Sequence, residues 1–198
     1  MPSIYDLKPK FQNLLRPLMR VLARLGVTPN VITLAAILGS LAVGVGVSSA
    51  QTQPWLLLLL PAWLFIRMAL NALDGMMARE LNQASPLGAV LNELGDVLSD
   101  LALYLPLALL TEHALWPVVL FSLGAALTEF CGVLCQALGK GRRYDGPMGK
   151  SDRAFVVGAV ALLTFAWSAL WAWWPVVFWV AAVLTALTCL NRLRHALH

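Results

Sequence analysis

Six runs of apolar residues, each near the length that crosses a bilayer as a helix, constrain this chain more than any other feature. They lie near 31–48, 55–79, 89–110, 115–138, 153–170 and 173–190. A transmembrane helix needs about 20 such residues, and so much apolar surface has no core to hide in within 198 residues of soluble protein. Composition agrees: 60% of the chain is hydrophobic and 12% charged, where a soluble domain has about a quarter charged. The gaps between runs are short, so neighbouring helices are expected to be antiparallel in a single transmembrane domain over residues 1–198. Before the first run, residues 8–26 place Phe11, Leu14, Leu15, Leu18, Val21, Leu22 and Leu25 at helical spacing, with Lys8, Lys10, Arg16, Arg20 and Arg24 mostly elsewhere on the wheel. That pattern predicts an amphipathic helix lying in the membrane interface. The fold class expected is all-α and integral to the membrane: six transmembrane helices preceded by an interfacial one.

Lysine and arginine alternate from side to side along these runs. They are frequent in the N-terminal segment, at Arg79, in the connection GKGRRYDGPMGKSDR (139–153) and at Arg192 and Arg194; the connections SSAQTQP and TEHALW and the turn near Ala172 have none. Basic connections stay in the cytoplasm. Both termini and the second and fourth connections are therefore expected on the cytoplasmic face of an inner or plasma membrane, with Trp55, Trp116, Trp171, Trp173 and Trp174 as an aromatic belt outside. The net charge of +4 is spread between apolar runs rather than along one face, which argues against a nucleic-acid partner. Cys131, Cys135 and Cys189 sit in apolar runs with no histidine spaced to complete a zinc site, so they read as small buried hydrophobes. His113, His195 and His198 fall in loops or at the terminus and are given no catalytic role.

Charged groups within a spanning helix are costly and mark function. The densest set is NALDGMMARELNQASPLGAVLNELGDVLSD, residues 71–100. Asn71, Asp74 and Ala78 share one helical face; Asn92, Asp96 and Asp100, four apart, share another. Two antiparallel helices can thus turn oxygen ligands toward each other. A divalent cation would relieve the repulsion and desolvation of such carboxylates, and an all-oxygen set suits Mg²⁺, Mn²⁺ or Ca²⁺. Gly75, Ala78 and Gly88 leave room for a ligand beside the backbone; small residues also serve helix packing.

The spacing Asn71-x2-Asp74-Gly75-x2-Ala78-Arg79-x8-Gly88-x3-Asn92-x3-Asp96 resembles the signature of the CDP-alcohol phosphotransferases, D-x2-D-G-x2-A-R-x8-G-x3-D-x3-D. All spacings match, and six of eight fixed positions match in identity. The motif covers residues 71–96; the likeness in architecture extends over the chain. It implies a transferase that moves a phosphatidyl group from a CDP-lipid such as CDP-diacylglycerol to a small acceptor alcohol, expected to be phosphorylated as glycerol 3-phosphate is, and releases CMP, in a homodimer among membrane lipids. By the same resemblance, Asp96 is the base that activates the acceptor hydroxyl. Asn71, Asp74, Asn92 and Asp96, with Asp100 one turn on, would bind one or two Mg²⁺ or Mn²⁺ ions. Asp74, Gly75, Ala78, Arg79 and Gly88 would meet the nucleotide. Two-metal phosphoryl transfer supplies the logic: neutralise the diphosphate, align the nucleophile, stabilise the departing charge.

Asn71 and Asn92 stand where the signature has Asp, so the site carries two fewer formal charges. Three readings follow: a two-metal site rebuilt with Asp100 or Glu93, a site holding one metal, or a non-catalytic relative that binds nucleotide-lipid or serves membrane assembly. In some family members a basic pocket at the fourth connection takes the phosphate of a phosphorylated acceptor such as glycerol 3-phosphate. Lys150, Arg153, Arg142 and Arg143 are the matching candidates here, Lys150 and Arg153 lying at a helix start that favours anions. Setting topology and touching lipid headgroups is the plainer role for Lys140, Arg142 and Arg143. Asp152 is placed to cap that helix. Arg67 and Glu129, deep in spans two and four, are expected to pair with each other. A transporter is disfavoured, because the polar groups gather at one membrane face.

Overall fold

The computed structural model describes residues 4–197, with side chains from Pro9 onward; His198 lies outside the described residues. Seven α-helices follow in chain order: α1 (Ile4–Arg24), α2 (Pro29–Val47), α3 (Leu59–Glu80), α4 (Pro86–Tyr104), α5 (Leu115–Ala137), α6 (Lys150–Ala166) and α7 (Trp174–Leu197). Short 3-10 turns at Pro54–Leu58, Leu105–Leu109 and Ser168–Trp173 adjoin α3, α4 and α7. Four segments are long and apolar enough to cross a membrane: Pro29–Val47, Pro54–Glu80, Leu115–Ala137 and Ser168–Leu197. α4 falls outside this set because Glu93, Asp96 and Asp100 interrupt its apolar run. α6 has only 17 residues and begins with Lys150, Asp152 and Arg153.

Helix ends follow local chemistry. α1 stops at Gly26, whose φ of +77° suits glycine, and the Val27 N–H reaches back to the Leu22 carbonyl at 3.0 Å. At the start of α4 Ser85 accepts the Gly88 N–H at 3.0 Å, with Pro86 next in line. α6 opens with the Gly149 N–H donating to Asp152 at 2.9 Å, the capping role expected of that acid.

The chain divides into two compact units, with the divisions falling inside α2, α3 and α4. The first comprises residues 1–39 and 65–96, the second residues 40–64 and 97–198. In the first, Leu15 and Met19 of α1 are buried with Ile32, Leu73, Met76 and Met77, flanked by Phe11 and Leu22. The apolar stripe of α1 therefore splits: Phe11, Leu15 and Leu22 pack inward, while Leu14, Leu18, Val21 and Leu25 stay exposed. An interfacial helix must do both, anchoring to protein on one side and meeting lipid on the other.

In the second unit, Tyr104, Phe121, Phe178 and Trp174 form a chain of ring contacts 5.1–5.6 Å apart, within the range where aromatic pairs attract. α5 and α7 approach closely because Gly124 leaves space that the Thr185 side chain fills. Trp55, Trp116 and Trp173 are exposed, as a belt requires, but Trp174 is not part of one. It is 1% exposed, and its indole N–H donates to Thr164 at 2.9 Å. The turn Ser168–Trp173 delivers the start of α7 into the core, which takes Trp174 away from the surface.

Candidate functional site

The motif residues, Asn71 to Asp96, lie in the first unit, on the later turns of α3 and the first three turns of α4. Asp74 is 5% exposed and accepts a bond from the Thr33 hydroxyl at 3.0 Å. Thr33 also bonds the Pro29 carbonyl at 3.1 Å within its own helix, so its rotamer is set from both sides. Asn71 turns its amide nitrogen toward Asp96, 3.3 Å from Oδ1. Arg67, one turn before Asn71, donates to the Asp96 backbone carbonyl at 3.0 Å and comes within 3.6 Å of its carboxylate. One row of α3, Arg67–Asn71–Asp74, thus fixes the Asp96 side chain and supplies a second carboxylate. Asn92 is exposed.

The nucleotide-side residues are placed as follows. The Arg79 guanidinium folds back over Gly75, where a Cβ would sit 3.2 Å from two of its nitrogens. Gly75 therefore makes room for an arginine from the next turn. Ala78 is half-buried. Gly88 is crowded by protein: a Cβ there would meet Asn30 Oδ1 at 2.9 Å and the Ser85 hydroxyl at 3.1 Å. Its small size is thus required by packing and by the α4 cap. At the foot of this unit Arg16 and Glu80 pair at 3.0 Å on the surface, worth little in stability.

The second unit holds a different cluster. Asp100, expected among the metal ligands, is buried and takes two bonds from Arg153, at 3.2 and 2.9 Å. A guanidinium supplies the positive charge there, so the role of cation ligand does not fit its position. Glu129 is bridged by Arg153 at 2.8 Å and Arg142 at 3.0 Å, while Arg67 has its partner in Asp96. The pairing expected between Arg67 and Glu129 gives way to separate partners for each. Of the residues assigned to an acceptor phosphate, Arg153 is fully buried, Arg142 is half-buried against Glu129, Arg143 lies 3.9 Å from Asp145, and Lys150 is half-exposed in the first turn of α6. Arg192 was not anticipated. It is 1% exposed and donates to the Asp145 and Thr128 carbonyls.

Thr33, Asn30, Thr128 and Arg192 complete these clusters without any sequence signal. Threonine in a spanning helix ordinarily bonds its own preceding turn, and an arginine near the C-terminus reads as a topology signal.

Among the described residues, no three His, Cys, Asp or Glu side chains gather closely enough to hold a metal by themselves. A cation in the first unit would need amide oxygen beside the two carboxylates. Asp74, Asp96, Asn71 and Asn92 offer oxygens only, a donor chemistry that fits Mg²⁺ or Mn²⁺. Two carboxylates suit one such ion better than two.

Residues 26–187 match the family model for CDP-alcohol phosphatidyltransferase. The chain belongs to that family. It is 50% identical over 196 residues to the inner membrane protein YnbA of Escherichia coli K12, covering 98% of this chain and 96% of that one. With the archaetidylinositol phosphate synthase of Aeropyrum pernix it shares 26% identity over 154 residues, 72% of this chain and 71% of the other. Its fold resembles the Mycobacterium tuberculosis phosphatidylinositol phosphate synthase in complex with manganese and citrate, with a TM-score of 0.78, 23% identity, and coverage of 91% and 88% of the two chains. The same synthase with CDP-DAG bound superposes with a TM-score of 0.77, 23% identity and coverage of 91% and 92%. The chain is thus an all-α integral membrane protein of a phospholipid-synthesising transferase family.

Proposed function

We propose that the protein transfers a phosphatidyl group from a CDP-lipid such as CDP-diacylglycerol to the hydroxyl of an acceptor alcohol and releases CMP. The observation that carries this reading is the Asp96 carboxylate, held by Asn71 and Arg67 of α3 on the motif face of α4. A general base must be fixed in direction before a proton can reach it. The Asn71 amide sets that direction, with the Arg67 guanidinium set back at 3.6 Å.

In this reading the acceptor oxygen attacks the lipid-side phosphorus as its proton passes to Asp96. The bond to the CMP oxygen breaks with its electron pair, and Arg79, at the exposed end of α3, faces the departing nucleotide phosphate. Asp74, Asp96, Asn71 and Asn92 would hold one Mg²⁺ or Mn²⁺ ion, which when bound neutralises diphosphate charge. Manganese in the mycobacterial synthase supports that choice of ion. Six spans with the motif on the cytoplasmic face, and a homodimeric assembly, are part of the same proposal.

The purified protein with Mn²⁺ and CDP-diacylglycerol should release CMP when given a panel of alcohols. Nucleotide binding without CMP across the whole panel would instead identify a binding-only relative, the reading that the amides at 71 and 92 favour.

A further inference from the structure

We propose that the buried guanidinium of Arg67 stands in for one of two metal ions, so that the site takes up a single divalent cation. This inference rests on the transferase reading above and fixes the number of ions with which it works.

The family signature has an acid at each of the two positions where this chain has Asn71 and Asp96. Here Asn71 Nδ2 lies 3.3 Å from Asp96 Oδ1. Two carboxylates so placed would set oxygen against oxygen and need positive charge between them. In this chain the need is met from within the protein. The Asn71 amide presents an N–H to that oxygen, and the Arg67 guanidinium comes within 3.6 Å of the same atom. Arg67 stands one turn before Asn71 on α3, is 3% exposed, and is fixed by its 3.0 Å bond to the Asp96 backbone carbonyl. Arginine cannot be deprotonated in a protein, so this cation is permanent. A charge buried inside a spanning helix is costly and marks function.

Charge points the same way. The four acids of the signature balance two divalent ions. In this chain Asp74 and Asp96 carry two negative charges, and Arg67 adds one positive charge. One divalent ion leaves the site at plus one, which an incoming diphosphate offsets. A second ion would raise it to plus three, and like charges in a weakly screening interior repel strongly. No further acid makes up the difference. Asp100 is held by Arg153 at 2.9 Å. Glu93 does not join Asp74 and Asp96, since no three His, Cys, Asp or Glu side chains gather to hold a metal among the described residues.

Mn²⁺ binding by the full-length protein in detergent tests the inference without turnover. Equilibrium dialysis of wild type against Mn²⁺ alone should give one bound ion per chain. Its electron paramagnetic resonance should be that of an isolated ion rather than the broadened signal of a coupled pair. Asn71→Asp/Asn92→Asp restores the signature's acids and keeps Arg67. That protein should still bind one ion tightly and a second at least about a hundredfold more weakly. Adding Arg67→Gln to it should bring both ions to similar affinity, whereas adding Arg67→Lys should hold the count at one, because charge rather than shape excludes the second. An arginine that only anchored α4 would leave these counts unmoved. Two ions in wild type, no saturable Mn²⁺ in wild type, or a second ion equally tight with and without the charge at position 67 would overturn the inference. Should the Arg67→Gln protein fail to fold, wild type and Asn71→Asp/Asn92→Asp, which both retain Arg67, decide it: two tightly bound ions in either would overturn it. CMP release is scored apart from these counts. Two ions with CMP release would sink the inference and spare the transferase reading, and one ion without CMP from any alcohol would do the reverse.

Discussion

Asp96 and Asp100 stand one turn apart on α4, and each shares its surroundings with a second acid, Asp74 of α3 and Glu129 of α5 respectively. In the first unit Asp74 is bonded by a hydroxyl and Asp96 by an amide, with Arg67 set back at 3.6 Å. In the second, Asp100 and Glu129 are held by guanidiniums at 2.8–3.2 Å. A hydroxyl, an amide and a more distant guanidinium orient the first pair and cancel less of its charge. Close guanidinium partners cancel that charge and turn the acid into part of the framework. Partner chemistry, more than the acid itself, separates reactive groups from structural ones here.

The sharpest way to break this contrast is Asp96→Asn. An enzyme that uses Asp96 as its base should lose roughly 10²–10⁴-fold in CMP release while thermal unfolding moves little. A large fall in stability with activity preserved would place Asp96 with the structural acids. Arg153→Met should do the reverse. It leaves Asp100 and Glu129 buried without their shared cation, at a cost of roughly 3–5 kcal/mol, read as lost yield or an earlier unfolding transition in detergent. Full stability in that variant would mean that the second cluster is not framework at all.

Asn71→Asp sharpens the comparison by adding charge to the first cluster. Half-maximal activity should need roughly tenfold less Mn²⁺, because affinity for hard cations rises with ligand charge. An unchanged metal requirement would remove Asn71 from the ligand set. The smallest effect belongs to Thr33→Val, which deletes one hydroxyl bond to Asp74. About 1 kcal/mol is expected, seen as a few-fold change in Mn²⁺ affinity; an Mn²⁺ affinity equal to that of wild type would show that Asp74 is positioned without Thr33.

The helices were readable from apolar runs and punctuation. Gly26 ends α1, Thr28-Pro29 begins α2, and Asp152 caps α6, each by a local rule that needs no knowledge of the fold. Trp174 was misassigned, because its place depends on a 3-10 turn that no periodicity announces. The spacing from Asn71 to Asp96 located the candidate site and singled out Asp96 as the base, but it also placed Asp100 among the metal ligands. Their i, i+4 spacing puts both on one face, and only the packed partners differ. Gly88 likewise matched a nucleotide motif, while Asn30 and Ser85 explain its size through packing.

From the sequence alone came the membrane as solvent, the order of the helices, and a spacing of acids that names a family. Those properties are one-dimensional: hydrophobic length, charge placement and helical period act through near neighbours in the chain. The tertiary structure decided which acid meets an amide with a guanidinium set back, and which is gripped directly by a guanidinium. Arg153 finds Asp100 across 53 positions of sequence and Asn71 finds Asp96 across 25. Whether a buried carboxylate keeps its charge for chemistry depends on such distant partners, because a low-dielectric interior lets the nearest cation dominate.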